Sequence, residues 1–333
     1  MNFLILVIIL ISFLITNFAL PFWIKGTHKR GLVGKDLHKV KKINVAESGG
    51  MAVVLGVCAG ILIYIAVNTF VFNNGSEKLI YIFAILSTLL IATIVGMIDD
   101  LWGWKRGLSK KTRIFIVLFA AIPLMVINAG ESIMYVPFLG NFDFGLIYPL
   151  LIVPIGILGA TTTYNFLAGY NGLEASQGII ILSSLAIATY LTGNSWLSLI
   201  ALIMVASLFA FYLYNKYPAK VFPGDVLTYS IGAMIAIMAI LGNIEKIAIF
   251  FFIPYIIETI LKSRGKLKKE SFARLNRDGS LDMPYKKIYG LEHLAIYMLK
   301  KVKKDGKVYE KDVVYSINAF QILIIIIGFL LFI

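Results

Sequence analysis

Cysteine is almost absent from this chain. Cys58 stands alone inside an apolar run, which excludes an intrachain disulfide and a cysteine metal cluster and leaves the redox compartment unread. Histidine is scarce as well, three in 333 residues, too few and too scattered for a zinc-ligand spacing or a Ser-His-Asp set. No glycine–lysine phosphate loop occurs, nor any low-complexity tract or internal repeat. Charge is the largest shortfall: 15% of residues are Asp, Glu, Lys or Arg, against roughly 25% in soluble domains. In its place stand apolar side chains, 59% of the chain, with a mean hydropathy of +0.86. A soluble enzyme is thereby excluded, and an all-α, polytopic membrane protein is implied.

Apolar runs of spanning length fall at 1–24, 49–71, 79–98, 114–129, 146–164, 176–192, 196–214, 226–242, 244–261 and 316–333. At ~20 residues per crossing they predict about ten transmembrane helices. The first run has neither a basic start nor a small-residue cleavage site, so it reads as a retained span. Thr192-Gly193-Asn194 and Gly242-Asn243 supply tight turns between adjacent spans. Segment 130–145 alternates weakly and suits a small hairpin. Segment 262–315 is the one sizeable polar piece. It is basic and too short for an independent domain, so the chain is a single membrane-embedded unit. Within it, Tyr285 to Lys304 carries Leu291, Leu294 and Met298 at helical spacing with a lysine-rich face, which predicts an amphipathic helix at an anionic membrane surface.

Net charge is +13, and its distribution matters more than its size. Loops 25–48, 99–113, 215–225 and 262–315 hold 29 of the 31 Lys and Arg, leaving Lys78 and Lys246. The positive-inside rule places these loops in the cytoplasm, and loop 165–175 with them by alternation. An even number of spans then puts both termini outside. The charge is a topological signal, and no nucleic-acid partner is expected.

Acids are few enough to weigh one by one. Asp99 and Asp100 close the run from Leu79, directly before a basic loop. Carboxylates at membrane depth are costly and commonly mark a site, and adjacent like charges repel unless a cation or proton separates them. Glu47 sits at the mouth of the next span beside Ser48, Gly49 and Gly50, where glycine admits a close neighbour. Asn165 and Asn171-Gly172 lie in loop 165–175, and Asp225 follows Phe222-Pro223-Gly224. Asp225 suits either a helix N-cap or a ligand for a hard cation. The set Asp99, Asp100, Asp225 and Asn165, flanked by Lys and Arg, is oxygen ligation of the kind Mg²⁺ takes alongside substrate phosphates.

Gly34-Lys35-Asp36-Leu37, Ala46-Glu47-Ser48-Gly49-Gly50, Asp99-Asp100, Asn165-Phe166-Leu167-Ala168-Gly169-Tyr170-Asn171-Gly172-Leu173-Glu174 and Val221-Phe222-Pro223-Gly224-Asp225 together resemble the polyprenyl-phosphate N-acetylhexosamine-1-phosphate transferases. Arg274-Leu275-Asn276 with Gly279 resembles the eukaryotic and archaeal branch, the UDP-GlcNAc:dolichyl-phosphate GlcNAc-1-phosphotransferases. The resemblance implies ten spans in the cell membrane and a cytoplasm-facing Mg²⁺ site, with Mn²⁺ as an alternative ion. It implies transfer of GlcNAc-1-phosphate from UDP-GlcNAc to polyprenyl (dolichyl) phosphate with release of UMP, the first step of N-glycan lipid assembly, and it admits a homodimer. Asp225 and Asn165 are then metal ligands. Leu37, Glu47, Gly169, Asn171 and Phe222 hold the uridine. Asp99 and Asp100 orient or deprotonate the acceptor phosphate or help hold the metal. Arg113, counted back from Pro123, aligns with the family's phosphate-binding lysine, with Lys110 and Lys111 as neighbours. Two positions depart from the family: Gly103 stands where relatives place Asp or Asn, and Lys268-Lys269-Glu270-Ser271-Phe272-Ala273 replaces a His/Arg cluster. Lys269 and Arg274 are the candidates for the pyrophosphate clamp.

Two other classes compete. A transporter or flippase for an anionic substrate accounts for the spans and the buried acids, but such sites lie near the bilayer midplane, whereas the polar residues here gather on one side. A structural scaffold leaves the acid cluster unexplained. Among sister enzymes using another UDP-sugar, the muramoyl-pentapeptide branch is disfavoured because the last loop lacks a histidine triplet.

Overall fold

The computed structural model describes residues 2–41, 43–72, 78–102, 109–136 and 140–333. Gly103 and the first part of the basic loop after Asp100 lie outside them. Among the described residues the chain is mostly helical, with three two-stranded ribbons as its sheet. Among the described residues seven helices are long and apolar enough to cross a membrane: α1 (Asn2–Arg30), α2 (Gly50–Phe70), α3 (Leu79–Trp102), α7 (Leu173–Leu191), α8 (Ser195–Asn215), α9 (Gly224–Gly242) and α13 (Glu310–Phe332).

The other three apolar runs are interrupted. Run 114–129 becomes α4 (Lys110–Phe119) and α5 (Ile122–Val126); run 146–164 opens with a π-turn (Tyr148–Ile152) before α6 (Val153–Tyr164); run 244–261 divides into α10 (Glu245–Phe251) and α11 (Ile253–Arg264). Each break sits beside a proline, Pro123, Pro154 or Pro254, in the first turn of the following helix. Proline has no amide to donate and fits a first turn far better than a helix interior. Hydropathy counts these runs correctly as apolar but does not see the break.

Helix α9 is the centre of the bundle. Its apolar window is 83% buried, against 22% for α1, and it packs on α2, α3, α6, α7, α8 and α10. Lipid supplies little hydrophobic drive between helices, so small residues and interhelical hydrogen bonds do the joining. Ser12 on α1 meets Ser207 on α8 at 2.6 Å, and Thr93 on α3 meets Ser230 on α9 at 2.9 Å. Gly96 brings α3 onto the start of α9: a methyl group there would lie 2.6 Å from the Asp225 carbonyl and the Val226 amide.

One end of the bundle carries the expected hairpin, β3 (Ile133–Val136) with β4 (Gly140–Asp143). The lysine-rich end carries β1 (Val33–Lys35) with β2 (Asn44–Ala46), and β5 (Arg274–Leu275) with β6 (Leu281–Asp282). Helix α12 (Leu291–Val302) occupies the amphipathic stretch, but with a different face inward. Leu291, Glu292, His293, Ala295 and Ile296 are buried, while Met298 is 53% exposed. The buried face therefore carries an acid and a histidine, which the apolar spacing does not show.

Candidate active site

The lysine-rich end is assembled by backbone pairing between distant loops. The Phe222 amide donates to Ala46 O at 2.7 Å, Gly49 N to Phe222 O at 2.9 Å and Gly50 N to Pro223 O at 3.0 Å. This lays 46–50 alongside 221–224 and places the start of α2 beside the start of α9. Gly224 has φ +70°, and a side chain there would overlap Asp100 Oδ2. The turn is thus open only to glycine, and the space saved is filled by the Asp100 carboxylate.

Asp100, rather than Asp225, caps α9. Its Oδ1 accepts from the Asp225 amide at 2.8 Å and its Oδ2 faces the Val226 amide at 3.4 Å. The Ser48 hydroxyl donates to the same carboxylate. A helix N-terminus leaves amides unpaired and carries partial positive charge, so a carboxylate brought in from α3 satisfies both. The sequence reading of Asp225 as a possible N-cap is corrected accordingly: Asp225 lies inside the first turn, with Pro223 at the cap, and its carboxylate is free to face the site.

That carboxylate lies in a chain of polar contacts. Asn165 Nδ2 donates to Asp225 Oδ1 at 3.0 Å, and Thr228 Oγ1 donates to Asn165 Oδ1 at 3.2 Å. Arg113 donates to Asp99 Oδ2 and stands 3.8 Å from Asp225 Oδ2. The Asp99 and Asp225 carboxyls come within hydrogen-bonding reach of each other. The Arg113 side chain is 29% exposed, which leaves part of the guanidinium fork available to a phosphate. Residues 99, 100, 113, 165 and 225, taken from three helices and the end of a fourth, therefore meet at one rim. The oxygen donors here suit a hard cation. Among the described residues no three acidic or histidine groups converge as a ready-made metal cage.

Glu47 borders this cluster. Its carboxyl lies over Gly34 and beside the Phe222 ring, and its carbonyl accepts from Trp23 Nε1 at 2.9 Å. Burial, reinforced by the negative charge of Asp100, raises the Glu47 carboxyl to about 7. Gly169 (φ +101°) lies under the Phe272 ring, 2.9 Å from where its Cβ would be, and its amide donates to Glu174 Oε1 at 2.8 Å.

Asn171 is bound from two sides. Its amide donates to Glu310 Oε1 at 2.7 Å and its Nδ2 to Asp36 Oδ2 at 2.9 Å. Lys39 Nζ reaches Glu310 Oε2 at 2.6 Å, and His38 Nε2 accepts from the Ala273 amide at 3.2 Å. Leu37, between Asp36 and His38, is 40% exposed. The remaining two candidates stand apart from the acids. Lys269 lies over the Tyr285 ring at 4.7 Å, and Arg274 is exposed on β5. No contact among the described residues joins either one to Asp99 or Asp225.

Sequence reasoning passed over Thr228, Tyr229, Phe272 and Glu310. Thr228 and Tyr229 follow Asp225 by three and four residues, the spacing that puts helix residues on one face, so that signal was present. Glu310, like Glu47, is an acid at the mouth of a span. Phe272 carries no such mark.

A family model described as glycosyl transferase family 4 matches residues 82–243, the stretch that contains Asp99, Asp100, Arg113, Asn165 and Asp225. A protein of Saccharolobus solfataricus, provisionally named UDP-N-acetylglucosamine–dolichyl-phosphate N-acetylglucosaminephosphotransferase, is 38% identical over 88% of this chain and 88% of its own length. The chain belongs to glycosyl transferase family 4. A second family member of the same provisional name, from Sulfolobus acidocaldarius, is 32% identical over 97% of this chain and 95% of its own. A phospho-N-acetylmuramoyl-pentapeptide-transferase of Streptococcus pyogenes is 29% identical over 77% of this chain and 78% of its own. The multi-pass helical architecture and the family membership agree.

Proposed function

We propose that this family member transfers GlcNAc-1-phosphate from UDP-GlcNAc to a membrane polyprenyl phosphate of the dolichyl type, releasing UMP, on the cytoplasmic face of the cell membrane. The observation that carries the reading is the convergence of Asp99, Arg113, Asn165 and Asp225 in one network of contacts at the lysine-rich rim. Its support is the match over nearly the whole chain to relatives named for that reaction.

Two anions must meet in this reaction, so the site has to supply positive charge and position. Arg113 grips a phosphate through the exposed part of its guanidinium while Asp99 fixes its orientation. Asp225 and Asn165 would hold Mg²⁺, which would supply positive charge against the pyrophosphate and the UMP leaving group. Asp99 takes the last proton of the acceptor phosphate. Asp100 keeps the α9 N-terminus and Asp225 in place. Glu47, Phe222, Gly169 and Asn171 border the nucleoside, with Glu47 accepting hydrogen bonds from its sugar or base. The acceptor's head reaches the rim while its tail stays in lipid.

The test is a donor panel of UDP-GlcNAc, UDP-GalNAc and UDP-MurNAc-pentapeptide, with purified protein, polyprenyl phosphate and mass spectrometry of the lipid product. Formation of polyprenyl-diphospho-GlcNAc with UMP supports the assignment. A different sugar on the lipid replaces the donor, and transport without UMP release replaces the reaction class.

A further inference from the structure

Helices α11 and α12 and the 268–273 stretch enclose a second group of charges that the proposed chemistry does not use. Glu258 and Glu292 are fully buried, and the Lys262 side chain is nearly so. Lys262 Nζ lies 3.5 Å from Glu258 Oε1 and 2.5 Å from Ser271 Oγ. Glu258 Oε2 accepts from the Leu291 amide at 2.5 Å. Both oxygens of Glu292 and Oε1 of Glu258 are buried without a hydrogen-bond partner among the described residues. The polar neighbours of Glu292 are the Lys262 ammonium, the Ser271 hydroxyl and the Ala168 amide. Both carboxyls face one spot: a methyl group on Gly290 would lie 2.5 Å from Glu292 Oε2 and 3.0 Å from Glu258 Oε1.

Two buried carboxylates against one ammonium leave a net negative charge in an apolar surrounding. Such a charge is expelled by taking up a proton. One proton makes the cluster neutral and adds a donor between the two carboxyls. We infer that Glu258 and Glu292 share one proton beside Lys262, and that this neutral cluster positions the 271–273 backbone against Gly169 at the edge of the donor site.

The linkage runs through named contacts. Lys262 holds Ser271, whose carbonyl accepts from Tyr170 OH at 3.3 Å. The next residue, Phe272, lays its ring on Gly169, and Ala273 pairs with His38. Glu258 and Glu292 are therefore positioning residues. Burial holds the Glu292 carboxyl above its ordinary range. The other titratable groups around the pair are Tyr170 on its loop, Tyr255 on α11, Glu174 on α7, Glu310 on α13 and His293. His293 is kept neutral, lowered to about 4 by burial and Lys262. A carboxyl raised in this way keeps its proton at low pH and loses it as pH rises through the raised value, so the loop is held on the acid side and loosened on the alkaline side.

The inference rests on the donor-site reading above, and its test separates the two. KM and kcat for UDP-GlcNAc are measured across pH for wild type, E292Q and E292A. Wild type should show KM rising on the alkaline side with little change in kcat. E292Q, with a permanent donor, should lose that rise. E292A should raise KM about tenfold on the acid side, where wild type holds the loop, the size expected for one lost hydrogen bond to a charged group. An E292Q profile equal to wild type, or an E292A protein with wild-type KM, overturns the inference. Should either variant fail to fold, infrared spectroscopy of the wild type against E258Q decides it: a protonated-carboxyl band present at neutral pH and missing in E258Q is expected, and no difference refutes the shared proton. If N171A and F222A also leave KM unchanged, the donor-site reading fails; if they raise KM and E292A does not, the positioning role alone fails.

Discussion

Asp100 supplies the sharpest prediction, because its structural and chemical parts can be separated. Its two oxygens are acceptors for the first amides of α9, at 2.8 and 3.4 Å. Asp100→Ala removes both. Loss of an N-cap costs about 1 kcal/mol, and a buried amide left unpaired adds roughly 1–3 kcal/mol. A combined loss of about 2–4 kcal/mol corresponds to about 30- to 700-fold at 1.4 kcal/mol per decade. Asp100→Asn keeps the Oδ1 acceptor for the stronger bond and should cost near 1 kcal/mol or less. Hydrogen exchange with mass spectrometry on detergent-solubilised protein reads this directly, since the opening is local to one helix end. Peptides covering 222–230 should exchange about 30- to 700-fold faster in Asp100→Ala, and close to wild type in Asp100→Asn, while peptides from the far end of α9 stay unchanged in both. Turnover should fall in Asp100→Ala because Asp225 moves with the helix end. Wild-type protection at 222–230 in the alanine variant would refute the capping role, whatever happens to activity.

Other outcomes follow from the same geometry. Arg113→Lys keeps the charge but loses the planar fork that reaches both Asp99 and Asp225, so UMP release should fall on the order of 100-fold with the fold intact by thermal melting. Glu47, raised to about 7, is protonated below that pH and cannot then accept two hydrogen bonds; KM for the donor should rise as pH falls through 7, and Glu47→Gln should remove the dependence. The same shift means that Glu47 favours the folded state at low pH and loses that contribution as pH rises from 4.5 through about 7, so Glu47→Gln should gain relative stability on the alkaline side in pH-dependent melting. Gly96→Val places a side chain against the Asp225 carbonyl and should destabilise by about 1–3 kcal/mol through overpacking, seen as a lower melting temperature and lost turnover. Chelation should abolish turnover, with return on adding Mg²⁺, and Asp225→Asn should raise the Mg²⁺ concentration needed for half-maximal rate.

Much of this protein could be read from residue order. Long apolar runs fix the helices, because a bilayer leaves the backbone no other means of satisfying its amides in a single segment. Lysine and arginine concentrated in four loops mark one end, and sparse acids at span mouths make Asp99, Asp100, Asp225 and Glu47 visible as candidates. Only tertiary structure decided what each acid does there. Asp225 carries the local signature of a cap, yet the cap is Asp100, 125 residues away, because α3 crosses α9 where Gly96 permits contact. Glu292 sits on what spacing presents as a surface helix, yet it is buried facing Glu258. Hydropathy and periodicity are properties of neighbours along the chain. The partner that satisfies a buried charge is set by which helices touch, and that is a property of the packed bundle alone.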